Sequence, residues 1–103
     1  MIERKMIDEK ALVSFDKEFT IHEVKNLKSI LKKFEEEKVN RIIFDMSKVK
    51  YIDSSSIGML VTVLKYARKN NGFLKLYSPT EEVRRILKLV NLYSFFEITD
   101  SLD

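Results

Sequence analysis

The chain has 103 residues, 45% of them hydrophobic and 34% charged, which suits one folded domain spanning residues 1–103 rather than a disordered segment. No apolar run approaches the roughly 18–20 residues of a membrane span, and the first residues lack the apolar core and small-residue cleavage site of a signal peptide. The absence of cysteine excludes a disulfide framework and a thiolate metal site, so the expectation is a cytoplasmic protein without membrane insertion.

The net charge of +3 comes from 19 Lys and Arg against 16 Asp and Glu. These alternate, as in Lys32-Lys33-Phe34-Glu35-Glu36-Glu37-Lys38. That pattern is a solvated face rather than a basic stripe with stacking aromatics, and no nucleic-acid partner is expected.

Residues 2–8 and 11–16 read as two strands joined at Asp8-Glu9-Lys10, with Ala11, Val13 and Phe15 on one side of the second. Thr20 and Glu23 form a capping-box pattern that opens a helix over 21–37, and Val24, Leu27, Ile30, Leu31 and Phe34 supply its apolar stripe. Arg41-Ile42-Ile43-Phe44-Asp45 is a short strand with a continuous apolar centre, as expected for one buried on both faces.

A polar turn over 46–53 leads into a helix at about 55–70. At 100° per residue, Ile57, Leu60, Val61, Leu64 and Ala67 should face the sheet. Met59, Val63 and Tyr66 lie on an adjoining arc, which widens the apolar face and makes them candidates for partner binding.

Asn70-Asn71-Gly72 ends that helix, and residues 73–77 are the next strand. Ser78-Pro79-Thr80-Glu81 reads as a second capping box before a helix over 80–90, whose stripe is Val83, Ile86, Leu87 and Val90. Residues 95–98 read as a last strand and 99–103 as a tail. The order β-β-α-β-α-β-α-β predicts an α/β fold, a small mixed and mostly parallel sheet with helices packed on it.

One stretch stands apart in chemistry. Asp53-Ser54-Ser55-Ser56-Ile57-Gly58 follows a buried strand and a polar turn and opens a helix, where side-chain oxygens meet free N–H groups and an anion is favoured. The lone His22 has no second ligand at metal-binding spacing. Asp45 and Asp53 have no nucleophile or base pattern to complete a catalytic set. No phosphate-cradling glycine loop is present. No enzyme, metal or cofactor is expected.

The hexapeptide resembles the Asp-Ser-(Ser/Thr)-Gly-(Leu/Ile)-Gly signature of the STAS-domain anti-sigma factor antagonists, whose element order also fits. The resemblance implies a partner-switching transcription regulator, a phosphoprotein modified at Ser54, with Ser55 as the alternate, and a switch loop made of Asp53, Ser54, Ser55, Ser56 and Gly58. It further implies an anti-sigma factor of serine-kinase type as partner, with a serine phosphatase and a second copy of the chain as further candidates.

Two positions depart from the pattern. Ser56 stands where the family has glycine, and Lys17-Glu18-Phe19-Thr20 stands where members often carry Gly-x-(Leu/Ile)-Asp. A runner-up reading within the same resemblance is a constitutive protein-binding scaffold or transport-associated subunit without a phosphorylation cycle. A third, from another class, is a small enzyme or ligand-binding domain with a pocket beside Asp53 and Ser54.

Overall fold

A computed structural model describes residues 2–102. Asp8 and Glu9 both take left-handed backbone (φ 47° and 67°), the handedness that lets a two-residue turn close a twisted hairpin. Strand β1 (Ile2–Ile7) therefore pairs antiparallel with β2 (Lys10–Phe15), Ile2 opposite Phe15 and Ile7 opposite Lys10. Lys10 belongs to the second strand, not to the turn.

A two-residue strand β3 (Glu18–Phe19) precedes helix α1 (Ile21–Glu37), and β4 (Arg41–Asp45) follows it. Next come a second two-residue strand β5 (Tyr51–Ile52), helix α2 (Ser54–Lys69), strand β6 (Phe73–Tyr77) and helix α3 (Glu81–Leu89). A 3-10 turn at Tyr93–Phe95 and strand β7 (Glu97–Thr99) complete the chain.

The main sheet has the order β1-β2-β4-β6-β7, and every pairing after the hairpin is parallel. Each of those parallel steps is bridged by one helix, the crossover that parallel neighbours require. This is the α/β architecture expected from the sequence.

Alternation along the strands divides the sheet into two sides. Ala11, Val13, Phe15, Ile42, Phe44, Leu74 and Leu76 join the helix stripes in one buried core with Leu27, Phe34, Leu60 and Val83. Leu12 and Ile43 project from the other side and are buried outside that cluster, so the central strands are covered on both faces. Phe15, Phe19 and Phe44 meet ring to ring at the core's centre, at centroid distances of 4.4 and 5.1 Å.

Several local expectations are corrected. The buried residues of α2 are Ser56, Met59, Leu60, Val63, Leu64 and Ala67, while Ile57 and Val61 are only partly covered. The buried arc is rotated because α2 packs against α1 as well as the sheet. Helix α3 starts from Thr80, whose Oγ1 accepts from the Val83 amide. Ser78 lies outside that helix at φ 46° with its hydroxyl turned to Asp100, so Pro79 precedes the cap instead of following it.

Val90, expected in the α3 stripe, is 46% exposed because the helix ends at Leu89. Phe95 closes the 3-10 turn rather than opening the last strand, and Thr99, placed in the tail, is paired with Tyr77 in β7. Of the expected tail, Asp103 lies outside the described residues.

Candidate functional site

The two short strands set the geometry. β3 pairs parallel with β5, Glu18 opposite Tyr51 and Phe19 opposite Ile52, and the Lys50 and Tyr51 amides both donate to the Lys17 carbonyl. Each strand runs straight into a helix cap, Thr20 for α1 and Asp53 for α2. Pairing the strands in register therefore sets the two caps side by side.

Both caps are reciprocal. The Thr20 amide donates to Glu23 Oε1 at 2.8 Å, and Thr20 Oγ1 accepts from the His22 amide at 3.4 Å. At Asp53, Oδ1 accepts from the Ser56 amide and the Asp53 amide donates to Ser56 Oγ, both at 2.9 Å. Ser56 Oγ also donates to the Asp53 carbonyl at 3.0 Å. Ser56 is wholly buried and lies in the helix, outside the left-handed region. The serine in the glycine position is thus an unstrained second half of the cap.

Asp53 reaches further than its own helix. Its second oxygen, Oδ2, accepts from the Ile21 amide at 2.9 Å, the first N–H of α1. One carboxylate thus joins two helix N-termini, whose partial positive charge favours its ionised form. Hydrogen bonds from the Ser56 backbone above all, and from the Ile21 and Ser55 backbones and the Ser56 side chain, hold its carboxyl below the usual carboxylate range; partial burial opposes them. The start of α3 hangs from the same segment, since Thr80 Oγ1 donates to the Val49 carbonyl at 2.6 Å.

On this frame Ser54 is the first residue of α2 and is exposed, whereas Ser55 is half-buried. Ser54 is therefore the more accessible of the two candidate hydroxyls. Gly58 lies one turn further along, exposed, and a Cβ built there would meet nothing within 4 Å. Gly58→Ala is accordingly expected to raise stability by about 0.5–1 kcal/mol, the difference between glycine and alanine inside a helix, as read from a shifted urea midpoint. Two large apolar side chains also face solvent at this end, Ile21 at 60% and Tyr51 at 58% exposure.

Met59, Val63 and Tyr66 are not part of an exposed face. Met59 is 5% and Val63 1% exposed, both in the core. The single Tyr66 O–H is shared between the carbonyls of Phe34, in the last turn of α1, and of Val39, just past its C-cap. Burial first and the charge of Glu35 second push its pKa above the ordinary tyrosine value. The large apolar side chains that face solvent at the Ser54 end are instead Ile21 and Tyr51. Ile21 falls outside the α1 stripe and Tyr51 precedes the cap by two residues, but neither spacing shows that the two side chains stand exposed at the same end.

No helix among the described residues is long and apolar enough to cross a membrane. A STAS domain model matches residues 1–103. A candidate anti-sigma factor antagonist of Thermotoga maritima is 33% identical, over 99% of this chain and 91% of that one. The crystal structure of a candidate anti-sigma factor antagonist from Thermotoga maritima superposes with a TM-score of 0.89 at 32% identity, covering 98% of this chain and 87% of that one. The unphosphorylated anti-sigma factor antagonist SpoIIAA shares the fold with a TM-score of 0.84 at 16% identity, covering 98% of this chain and 90% of that one. SpoIIAA from Bacillus in its phosphorylated form gives 0.78 at 16% identity, covering 98% of this chain and 93% of that one.

Proposed function

This chain belongs to the STAS domain family and is anti-sigma factor antagonist-like, and from that membership we propose that it is a phosphorylation-switched binding module. Its partner in this reading is an anti-sigma factor of serine-kinase type, which docks on the end of the molecule around Ser54. The observation that carries the proposal is the Asp53 carboxylate, which ties the N-termini of α1 and α2 together and leaves the Ser54 hydroxyl exposed beside that junction. SpoIIAA, which shares the fold, has been solved with and without phosphate.

In the unmodified state a partner would meet this end of the molecule without the phosphate charge. Ile21 and Tyr51 supply apolar contact there, and bare Gly58 admits close approach of a partner's main chain. Phosphate on Ser54 adds about 1.5–2 negative charges within that footprint and next to ionised Asp53. A loss of about 3 kcal/mol, from repulsion and from desolvating the phosphate, weakens the complex roughly a hundredfold. The chain is substrate and competitor in this cycle, not catalyst; a serine phosphatase would restore the binding form.

The test is mass spectrometry after incubation with ATP and serine-kinase anti-sigma factors from the same organism, run beside Ser54→Ala. One added phosphate, absent from Ser54→Ala, is the expected result. A phosphate that persists in Ser54→Ala moves the site to Ser55. A stable complex that forms without any phosphate leaves the constitutive scaffold, a reading favoured by Thr20 standing at the cap of α1 where the family pattern has aspartate.

A further inference from the structure

A second site lies on α2, away from Ser54. This helix and the segment that follows α3 line a groove of about 320 Å³. Val61 and Leu64 line it from the helix, and Leu92, Phe95 and buried Phe96 line it from the segment after α3. Phe95 is 55% exposed, which is unusual for a phenylalanine next to a core it could have joined. Val61 is seven residues beyond Ser54, about 10 Å along the helix at about 1.5 Å per residue.

The rim has a single sign of charge. Lys65 and Arg68 both line the groove, three residues apart and hence on one side of α2, and no acidic residue lines it. The Arg68 guanidinium is held over the opening by a 3.0 Å hydrogen bond from Nη2 to the Phe95 carbonyl, which leaves its other N–H groups available. Lys65 has no hydrogen-bond or ion-pair partner among the described residues. On the far side of the same segment, Arg84 donates to the Tyr93 hydroxyl at 2.9 Å and the Lys88 ammonium sits 4.9 Å from the Tyr93 ring centre.

We infer that this groove binds an amphipathic carboxylate, a fatty-acid anion whose chain lies between Val61 and Phe95 and whose head group meets Lys65 and Arg68. The volume holds roughly ten methylene-sized groups at about 30 Å³ each, the share of a water molecule in the liquid. It falls at the lower end of small-molecule clefts, about 300–1,000 Å³, whereas a protein partner needs a contact face of about 800 Å². The apolar walls take the chain and the two cations select the anion.

The experiment is an amide NMR titration of the whole protein with decanoate and decylamine below their micelle concentrations and with 1-decanol below its solubility limit. Decanoate is expected to shift the Val61, Leu64, Phe95 and Phe96 amides with a Kd of about 0.1–1 mM, the range open to so small a ligand. Decanol and decylamine should bind more weakly. Lys65→Glu, an exposed substitution that leaves the fold intact, should weaken decanoate about fivefold and bring decylamine up to it. Equal binding of the three compounds, shifts centred elsewhere or no shift at all would overturn the assignment. Saturation by an acidic amphipathic peptide without response to decanoate would overturn it too, giving the groove to a protein partner. None of these outcomes depends on whether Ser54 is phosphorylated.

Discussion

Gly72→Ala is expected to destabilise the protein by about 3 kcal/mol or more, the cost of forcing an added methyl into filled space. A Cβ at residue 72 would lie 1.7 Å from the Asn40 carbonyl oxygen and 2.5 Å from its carbon, far inside any tolerable contact. The obstacle is backbone and cannot rotate away. That same carbonyl, just ahead of β4, accepts the amide of Phe73, the first residue of β6, at 2.9 Å, and the Asn40 side chain is tied to the Asn70 carbonyl. Relieving the clash therefore breaks the junction where α2 returns to the sheet. A domain of this size should lose about 15 °C in Tm at about 4–8 °C per kcal/mol. A thermal scan of Gly72→Ala beside Gly58→Ala makes the check sharp, since the same added methyl should act with opposite sign at the two glycines. Equal midpoints for both would refute this account of Gly72.

The second large effect belongs to Asp53. Asp53→Ala removes the Oδ1 cap of α2 and the Oδ2 bond to the first amide of α1 together. The expected cost at neutral pH is about 2 kcal/mol, an N-cap plus one charge-assisted hydrogen bond at a partly exposed site. Asp53→Asn keeps one acceptor oxygen and should recover part of it.

The pH dependence follows from the direction of the shift. The folded protein holds this carboxyl below the usual range, chiefly through the Ser56 amide, so folding favours the ionised form. The stabilisation is then complete above the unfolded value of about 3.9 and is lost as pH falls through the lower folded value. Urea unfolding of wild type and Asp53→Ala should give a constant gap from pH 7 down to about 5 and a narrowing gap below about 4. A gap that widened in acid would contradict the ionised cap. The substitution should also loosen the junction that presents Ser54, so in the proposed reading the affinity for the anti-sigma factor falls as well.

How much of this could be read from the chain depends on the range over which each residue acts. The start of α1 at Thr20 and its partner Glu23 are three residues apart, and the stripe from Val24 to Phe34 repeats within one turn, so both were legible. The strands 41–45 and 73–77 were legible for the same reason, as short apolar runs bounded by polar turns. The start of α3 is ambiguous in the sequence because Ser78 and Thr80 are both capping residues in a suitable setting. Only the Val49 carbonyl, 31 residues away, and Asp100 decide which hydroxyl goes where. The strands β3 and β5 have two residues each, too short for any periodic signal.

The sequence by itself determined the three long helices and the longer strands, the parallel α/β order and the chemical character of the Asp53–Gly58 stretch, because caps, turns and apolar periods act between residues within about four positions of one another. Only the tertiary structure decided that Met59 and Val63 belong to the core and that Ile21 and Tyr51 stand exposed beside Ser54, because a helix wheel cannot say which neighbours will cover a given arc. It also decided that Asp53 serves two helices. The bond from the Ile21 amide spans 32 residues and exists because β3 and β5 pair in register and deliver both caps to the same place.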